Sequence, residues 1–313
     1  MLKFLKRFQS PDLSAFQQPP TVNDGLPEFV DGRPLEQRWK SVLPRSEIEV
    51  GLLSLQSATP WCHYFSLADD LMTITPQQER YFGKAKGLKL MARDLVESIP
   101  YITRKGDIRE LSVLDLACAE GAHSIELAMA GAKKVLGVEG RQLYVERAAF
   151  IAKCFGAANA KFQLGDVRKV DPVATGAFDL VLFYGILHHL AAEDFLSMLK
   201  LLRQLTTDTA VIFTHTADEE NNNKFAARLS EMITTSDGFQ GRLYREHPDT
   251  ATAAQKEKRV RSSLDNNFSF WPKKAALLEG LKQAGFAHVS TQLRPNLFSR
   301  AADEYRVFYI CRV

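Results

Sequence analysis

Three acidic side chains stand at the ends of three successive apolar segments in the middle of the chain. Asp115, Glu139 and Asp166 close these segments in order. Ligands of an open parallel sheet bind beyond the carboxyl ends of its strands, so we expect the three carboxylates to meet at one edge. Glu139 is placed there to accept hydrogen bonds from two ribose hydroxyls, and Asp166 from an exocyclic amine. The three acids therefore predict a ligand with an adenosine half and a positive charge.

The turn after the first of these segments consists mostly of small residues and reads Ala117-Cys118-Ala119-Glu120-Gly121. Small side chains let the backbone come close to a ligand, and the helix that follows offers free N–H groups. A nicotinamide dinucleotide would require the pattern G-x-G-x-x-G here to admit its pyrophosphate. Glu120 would instead repel a pyrophosphate, which argues against a nicotinamide-dependent dehydrogenase.

Three histidines follow the next two apolar segments. His188 and His189 come after the fourth segment, and His215 ends the fifth. Imidazole is the side chain most often used as a general base, and a hydroxyl acceptor would need one. The alternative is that these histidines only pack and form hydrogen bonds. His123, in the first turn of the helix after the small-residue turn, is expected to cap that helix or to line the pocket.

Apolar segments alternate with helical patterns between residues 111 and 216, and this alternation predicts a parallel sheet covered on both faces. A C-terminal helix and two strands would complete it. The predicted fold class is α/β, a doubly wound, mostly parallel sheet of seven strands. The predicted strands are Leu111–Ala117, Lys134–Val138, Ala160–Leu164, Phe178–Tyr184, Ala210–Thr214, His288–Leu293 and Tyr305–Val313. The predicted helices are Gln77–Ile99, His123–Ala130, Val145–Phe155, Ala192–Leu205 and Lys273–Ala284.

The chain divides into four parts by composition. Residues 1–104 contain many prolines up to Pro76 and predict an N-terminal extension that ends in a helix. Residues 105–217 form the predicted core, and residues 218–270 are polar and predict an insertion after strand five, on the substrate side. Residues 271–313 supply the helix and strands that complete the core sheet.

The core resembles the class I, Rossmann-like methyltransferases that use S-adenosylmethionine (SAM). The motifs that carry the resemblance are Val113–Gly121, Val138–Gly140, Gly165–Val167 and Phe178–Leu182. It extends over residues 105–216 and the terminal strands. The family usually has glycine where this chain has Ala117 and Ala119, so only Gly121 remains of the expected glycines. The resemblance implies SAM as the cofactor.

The same resemblance implies roles for individual residues. Glu139 would bind the ribose diol, while Asp166 would bind the adenine amino group and Val167 would donate its backbone N–H. The methionine half would lie against the backbone of Ala117 and of Tyr184-Gly185, with Asp115 near its amino group through water. The full set of implied cofactor residues is Asp115, Ala117, Glu120, Gly121, Glu139, Gly140, Asp166, Val167, Tyr184 and Gly185.

Shorter motifs outside the cofactor site resemble a narrower subgroup. Trp61–Leu67 and Gly185–Leu190 are similar to the wobble-uridine tRNA methyltransferases and their uncharacterised relatives, which are thought to act on small molecules or sugars. Gly241–His247 and Ser263–Trp271 are similar to the second of these branches. By this resemblance Trp61, His63 and Tyr64 would form a lid over the cofactor. Their alternative role is an aromatic plug that packs the extension onto the core.

The resemblance also implies that part of the insertion faces the acceptor. The residues concerned are Tyr244, Arg245 and His247, together with Glu246 between them. The alternative for this stretch is a solvated turn. Asn267 and Trp271 are expected to be structural, capping the last helix and fixing the insertion in place.

Composition limits the possible partners. The chain has 313 residues, with 40 Lys and Arg against 37 Asp and Glu, so its net charge is only +3. That balance argues against nucleic-acid binding by bulk charge, although a local patch could exist. No apolar run is long enough for a membrane span. Four cysteines without a C-x-x-C pair predict neither disulfides nor a zinc site, and the cytoplasm is the simplest compartment.

The sequence therefore predicts a SAM-dependent methyltransferase with no metal and with no indicated oligomeric state. O-methylation is the preferred chemistry because histidines near the methyl position suit a hydroxyl acceptor. A small molecule or a sugar is the preferred acceptor. The two alternatives are a tRNA methyltransferase of the wobble-uridine type and a methyltransferase-like binding module without catalysis.

Overall fold

The computed structural model describes residues 29–30, 33–34, 39–75, 79–218, 225–259, 261–291 and 306–313. The elements before the core are β1 (Phe29–Val30), β2 (Arg33–Pro34), α1 (Arg45–Ser54), β3 (Ser66–Ala68), β4 (Leu71–Met72) and α2 (Glu79–Ile102). The core contains β5 (Ser112–Leu116), α3 (Ala122–Met129), β6 (Lys134–Glu139), α4 (Gln142–Phe155), β7 (Ala160–Leu164), α5 (Pro172–Thr175), β8 (Phe178–Tyr184), α6 (Phe195–Gln204) and β9 (Thr206–His215). It is followed by β10 (Leu229–Thr234), β11 (Gln240–Arg245), α7 (Ala253–Glu257), β12 (Phe268–Pro272), α8 (Lys274–Ala284), β13 (His288–Thr291) and β14 (Arg306–Arg312).

The central sheet has seven strands in the order β13-β14-β9-β8-β5-β6-β7. Strands β5 to β9 run parallel, while β14 pairs antiparallel with both β9 and β13. The prediction of a doubly wound, mostly parallel seven-strand sheet is confirmed. The chain builds outward from β5 through β6 to β7, then returns to place β8 on the other side of β5. This reversal opens a crevice at the carboxyl ends of β5 and β8.

Buried apolar side chains cover both faces of this sheet. On one face Val113 and Leu182 pack in a cluster with residues of the N-terminal part and α2 to α4. On the other face Leu114 and Val181 pack with residues of α6 and α8. Because side chains alternate along a strand, the inner parallel strands β5, β8 and β9 supply both clusters, which is why their central residues are mostly apolar. The edge strand β7 contributes only Ala160 and Phe162, both to the first cluster.

Among the described residues, strand boundaries agree closely with the sequence prediction, with one clear exception. The predicted strand ends at Leu293 and Tyr305 lie outside the described residues. The strand predicted over Ala210–Thr214 begins instead at Thr206. Thr206 pairs with Phe178 on β8, and Thr209 pairs with Arg312 on β14, so this strand has a neighbour on each side near its start. The β-branched threonines suit that extended conformation. The helix predicted before it accordingly ends at Gln204 rather than Leu205.

The region predicted as a polar insertion contains a second sheet of three antiparallel strands, in the order β10-β11-β12. Strand β12 spans the predicted boundary at residue 270. Two adjacent aromatic residues of β12, Phe270 and Trp271, are buried on opposite faces of the strand. The Phe270 ring lies 5.3 Å from that of Phe195 on α6, whereas the Trp271 ring lies 4.6 Å from that of His215. The insertion is therefore packed against the core and is not a solvated loop.

No helix among the described residues has the length and apolar character that crossing a bilayer requires.

A buried ion pair helps to attach the N-terminal part to the core, beside the apolar cluster that the two parts share. Arg147 donates to Glu120 at 2.9 Å, and both side chains are almost fully buried. Glu120 also accepts the backbone N–H groups of Cys62 and His63. Arg147 in turn donates to the carbonyl oxygens of residues 55, 59 and 60, so the pair ties the extension to the core.

Replacing Arg147 with methionine should strongly destabilise the protein. The substitution leaves the Glu120 carboxylate buried without its cation, a change that costs about 3–5 kcal/mol. The measurement is the free energy of unfolding in urea. Asp70→Asn is the matched control, since it breaks the exposed Arg45–Asp70 pair and should cost less than about 1 kcal/mol. Equal losses in the two variants would contradict this account.

Candidate functional site

A cavity of about 740 Å³ lies at the carboxyl ends of the parallel strands. It has two ends of different chemistry. The acidic end is lined by Asp115, Ala117, Ala119, Glu139, Gly140, Asp166 and Val167. The histidine end is lined by His188, His189, His215, Phe225, Tyr244, Trp271 and Arg306. Tyr184 and Gly185, from the end of β8, also line the cavity. Its size is typical of a site for a cofactor or a small ligand.

Glu139 holds the turn after β5 in place. One of its carboxylate oxygens accepts the N–H of Ala119, and the other accepts the N–H of Arg141, both at 2.9 Å. Ala117 and Ala119 have positive φ angles of 60° and 47°, in the left-handed region that glycine adopts most easily. This backbone conformation explains why related turns would carry glycine at both positions.

Asp166 lies at the end of β7, where its side chain caps the short helix that begins at Val167. The guanidinium of Arg168 binds Asp166 at 2.9 Å, Asp194 at 3.2 Å and Asp265 at 2.5 Å. Burial alone would raise the pKa of Asp166, but its contacts with Arg168 outweigh burial and lower that pKa. The Asp166 carboxylate is therefore ionised near neutral pH and faces the cavity.

His189 is held by a buried carboxylate from the insertion. Nδ1 of His189 donates to Oε1 of Glu246 at 2.6 Å, and the same oxygen accepts the hydroxyl of Ser269 at 2.8 Å. Burial would raise the pKa of Glu246, but the hydrogen bonds from His189 and Ser269 lower it below its usual value. Because Nδ1 carries the proton, neutral His189 has its lone pair on Nε2.

The other two histidines of the cluster use their basic nitrogens as acceptors. Nδ1 of His188 accepts the backbone N–H of His215 at 3.4 Å and lies 3.2 Å from the hydroxyl of Thr214. Burial, reinforced by the neighbouring charges, lowers the pKa of His188 well below its usual value. Nε2 of His215 accepts from Nε of Arg306 at 3.1 Å. His188 and His215 stack at 3.9 Å, so they form a packed wall beside His189.

Most predicted site residues lie together around this cavity. Of the residues predicted for the cofactor, the ones in its wall are Asp115, Ala117, Glu139, Gly140, Asp166, Val167, Tyr184 and Gly185. Of the residues predicted for catalysis or the acceptor, the ones in its wall are His63, His188, His189, His215 and Tyr244. His123 also lines it. The strand-end residues among them meet because the carboxyl ends of parallel strands share one edge. His63 comes from the extension and Tyr244 from the insertion, and both reach the cavity by packing against the core.

Four predicted residues on the cofactor side make other contacts and are not among the residues that line the cavity. Glu120 binds Arg147, and Trp61 lies under the Arg147 guanidinium at 4.4 Å. Tyr64 is buried in the apolar cluster beneath the extension. Gly121 has a φ of 77° and packs so tightly that an added Cβ would lie 2.8 Å from the Phe162 ring. Of the predicted lid, only His63 lines the cavity.

Two predicted acceptor residues are likewise directed elsewhere. Arg245 is exposed, lies over the Phe268 ring at 4.9 Å and pairs with Asp249. His247 is buried, and its Nε2 donates to the carbonyl oxygen of Ser263 at 2.7 Å. Residues of β11 alternate between two faces, so Tyr244 and Arg245 cannot both face the cavity.

Several cavity residues were missed by sequence reasoning. Trp271 was expected to be structural, but it lines the cavity while its Nε1 donates to the carbonyl oxygen of His188 at 3.1 Å. Residues 261–265, Arg168 and Arg306 also line it. Contacts between residues distant in sequence, such as the Arg168–Asp265 pair and the hydrogen bond from Trp271 to His188, help to position them, and local pattern does not show such contacts. Within the described residues, no group of three or more His, Cys, Asp or Glu is placed to hold a metal.

Comparison with known proteins places this geometry in a family. A family model described as a methyltransferase domain matches residues 108–267, just over half of the chain. The chain is also 29% identical over 137 residues to the O-antigen chain terminator bifunctional methyltransferase/kinase WbdD of Escherichia coli. That match covers 41% of this chain and only 19% of WbdD, so the similarity is limited to one region of that much longer protein.

Solved structures share the fold over most of the chain. The N-terminal domain of EvdMO1, crystallised with SAH bound, superposes with a TM-score of 0.63 at 22% identity. The match covers 87% of this chain and 98% of that domain. A second structure of that domain, determined in the presence of SAH and D-fucose, gives a TM-score of 0.60 at 22% identity and covers 87% of this chain and 97% of that one.

These comparisons give no support to the wobble-uridine subgroup or to a tRNA acceptor. The structural neighbours share the overall fold of this chain. The family match includes β5 to β9, the three strand-end acids and the three histidines. The chain belongs to the methyltransferase domain family.

Proposed function

We propose that this protein is a SAM-dependent O-methyltransferase that acts on a hydroxyl group of a small molecule or a sugar. The observation that carries the proposal is the state of His189, which has Nδ1 bound to Glu246 and its basic nitrogen on Nε2. A hydroxyl is a poor nucleophile until it loses its proton, so a positioned base is the group that such an acceptor requires. Two of the proteins named above support this acceptor class: WbdD is an O-antigen chain terminator, and the EvdMO1 domain was crystallised in the presence of SAH and D-fucose.

The acidic end has the donors and acceptors that SAM requires. Each oxygen of Glu139 already accepts one N–H, which leaves a second lone pair on each for the ribose hydroxyls. Asp166 would accept a hydrogen bond from the adenine amino group, beside the backbone N–H of Val167. Gly185 has a φ of 72°, and nothing lies within 4 Å of the position of a Cβ there, which leaves space at the methionine half.

Bound SAM supplies an electrophilic methyl group on a positively charged sulfur. The chain's own contribution is to orient the acceptor and to remove its proton. His189 accepts the hydroxyl proton at Nε2, and Glu246 stabilises the resulting imidazolium through Nδ1. Tyr244 stacks on Trp271 at 4.6 Å, and this aromatic wall offers an apolar surface to the face of a sugar ring.

Asp115 adds a charge that depends on pH. It is buried and accepts the hydroxyl of Ser124 at 2.6 Å. Burial raises the pKa of Asp115 to about 7, although the bond from Ser124 opposes that shift. The positively charged amino group of the cofactor would favour the ionised form of this carboxylate.

SAH should raise the melting temperature of the protein by several degrees, whereas NAD should not.

Glu139→Ala should weaken SAH binding by about 1–3 kcal/mol, as measured by titration calorimetry, because it removes the acceptor for the ribose hydroxyls. Asp179→Asn is the matched control. Asp179 binds Ser112 at the opposite end of the sheet, so this variant should bind SAH normally. Unchanged affinity in Glu139→Ala would refute the assignment of Glu139.

His189→Ala should lower kcat by roughly 10²–10⁴-fold without changing the Kd for SAH, because the base is lost and the cofactor site is not. Glu246→Gln should lower kcat by roughly 10–100-fold, since it removes only the orienting partner. The assay is SAH release from SAM over a panel of sugars and small hydroxyl compounds.

His288→Ala, at an exposed position of β13, is the control for the loss of an imidazole and should leave kcat unchanged. Equal losses of kcat and SAH affinity in His189→Ala would indicate packing rather than proton transfer. SAH binding without turnover on any acceptor of the panel would favour a non-catalytic binding module.

The stability of the protein should depend on pH through Asp115. The folded protein keeps this proton up to about pH 7, whereas the unfolded chain loses it near pH 4. The folded state binds more protons across that window, so Asp115 makes the free energy of unfolding fall as pH rises from about 4 to about 7.

Asp115→Asn removes this contribution. Its free energy of unfolding should rise relative to wild type by up to about 4 kcal/mol between pH 4 and pH 8, measured by urea denaturation at each pH. SAH should reduce the difference if its amino group lies near Asp115. A difference that does not change with pH would contradict the raised pKa.

A further inference from the structure

Residues 261–266 form a segment of the insertion that runs along the cavity from one end to the other. We call it the bridging segment. Its first five residues, Arg261 to Asp265, line the cavity. Leu264 comes so close to the end of β6 that a Cβ added to Gly140 would lie 3.1 Å from it. The segment therefore covers the proposed ribose site.

Two arginines of the core hold this segment over the acidic end. Arg168 binds the Asp265 carboxylate at 2.5 Å, while its guanidinium also binds Asp166. Arg141 donates to the carbonyl oxygen of Ser262 at 3.3 Å, and the backbone N–H of Arg141 is bound by Glu139. Glu139 and Asp166, the acids proposed for the ribose and the adenine, are thus each in contact with an arginine that also holds the bridging segment.

The last residue of the segment reaches the histidine end. Nδ2 of Asn266 donates to the carbonyl oxygen of His189 at 3.0 Å. The neighbouring carbonyl oxygens, of His188 and Leu190, accept from Nε1 of Trp271 and the backbone N–H of Phe270. Three successive carbonyl oxygens of the His188–Leu190 loop are therefore fixed by residues 266–271. Asn266 is the member of this set that belongs to the bridging segment.

We propose that the bridging segment couples closure over the cofactor to the placement of His189, with Asp265 and Asn266 as adjacent positioning residues. This inference rests on the proposed function. A ligand that binds Glu139 and Asp166 favours the segment in its closed position, since both acids contact the arginines that hold it. In the closed position, Nδ2 of Asn266 donates a hydrogen bond to the carbonyl oxygen of His189. Binding at one end of the cavity thereby favours order at the other, and the coupling acts in both directions.

Hydrogen exchange on the full chain, with and without SAH, tests this coupling without an acceptor. The backbone N–H groups of His189 and Leu190 donate hydrogen bonds to the carbonyl oxygens of Ile186 and Leu187, respectively, within their own loop. Exchange of these two amide hydrogens therefore reports opening of that loop. The amide hydrogen of Asn266 bonds to the hydroxyl of Ser263 and reports opening of the segment. In the wild type, SAH should slow exchange in both places by about fivefold or more.

The variants separate the two contacts. Asn266→Ala should keep the SAH-dependent protection of residues 261–265 and lose that of residues 187–190. Asn266→Asp keeps the shape of the side chain without its donor and should behave in the same way, which excludes a general folding defect. Asp265→Asn should lose protection at both places. Asp194→Asn is the control, since it removes another carboxylate from Arg168 without touching the segment, and it should match the wild type.

Three distinct results would overturn all or part of the inference. Undiminished protection of residues 187–190 in both Asn266 variants, with SAH bound, shows that His189 is placed without the segment and leaves the proposed function standing. Failure of the wild type to bind SAH at all removes the proposed cofactor and the coupling together. If Asp194→Asn also loses the protection of residues 187–190, the loss arises from the altered charge balance around Arg168. That result would refute the role of Asp265.

Discussion

Between β5 and β8 the strand order of the central sheet reverses, and the loops that follow these strands leave a crevice at one edge. The turns at that edge carry buried polar groups, which need partners. Carboxylates from the strand ends provide them, as Glu139 does for the N–H groups of Ala119 and Arg141. The side chains that stabilise these turns are therefore the same ones that give the cavity its acidic end.

Arginines connect this edge to the rest of the chain. Arg147 binds Glu120 and the extension, Arg141 binds the insertion, and Arg168 joins three carboxylates, of which Asp265 belongs to the insertion. Each guanidinium has several donors in a fixed geometry, so it can satisfy an acid and a second segment together. Both outer parts of the protein are thus attached next to the cavity that they help to enclose.

The turn after β5 shows how the fold tolerates an unusual sequence. Ala117 and Ala119 adopt positive φ angles that cost an ordinary residue about 1–2 kcal/mol each. The turn is held by backbone bonds from Ala117 to Val138 and by Glu139. These contacts maintain at two alanines a backbone shape that glycine would adopt more easily. The methyl groups of Ala117 and Ala119 thereby become part of the cavity wall.

The amino-acid sequence by itself determined the central sheet and the acids and histidines at its edge. Apolar runs of strand length report burial on both faces, and a residue at the end of a strand stays at that end in any parallel sheet. Asp115, Glu139, Asp166 and His189 were therefore assigned to one edge from local pattern alone.

Tertiary structure decided which of these groups is free to react and what surrounds them. The sequence pattern places Glu120 among the cavity residues, but Arg147 of α4 binds it in the attachment of the extension. His189 is distinguished from His188 by Glu246, which is 57 residues away, and the bridging segment reaches Arg168 across 97 residues. Such contacts depend on how separate elements pack. Periodicity and spacing describe only neighbours along the chain, so they carry no record of these partners.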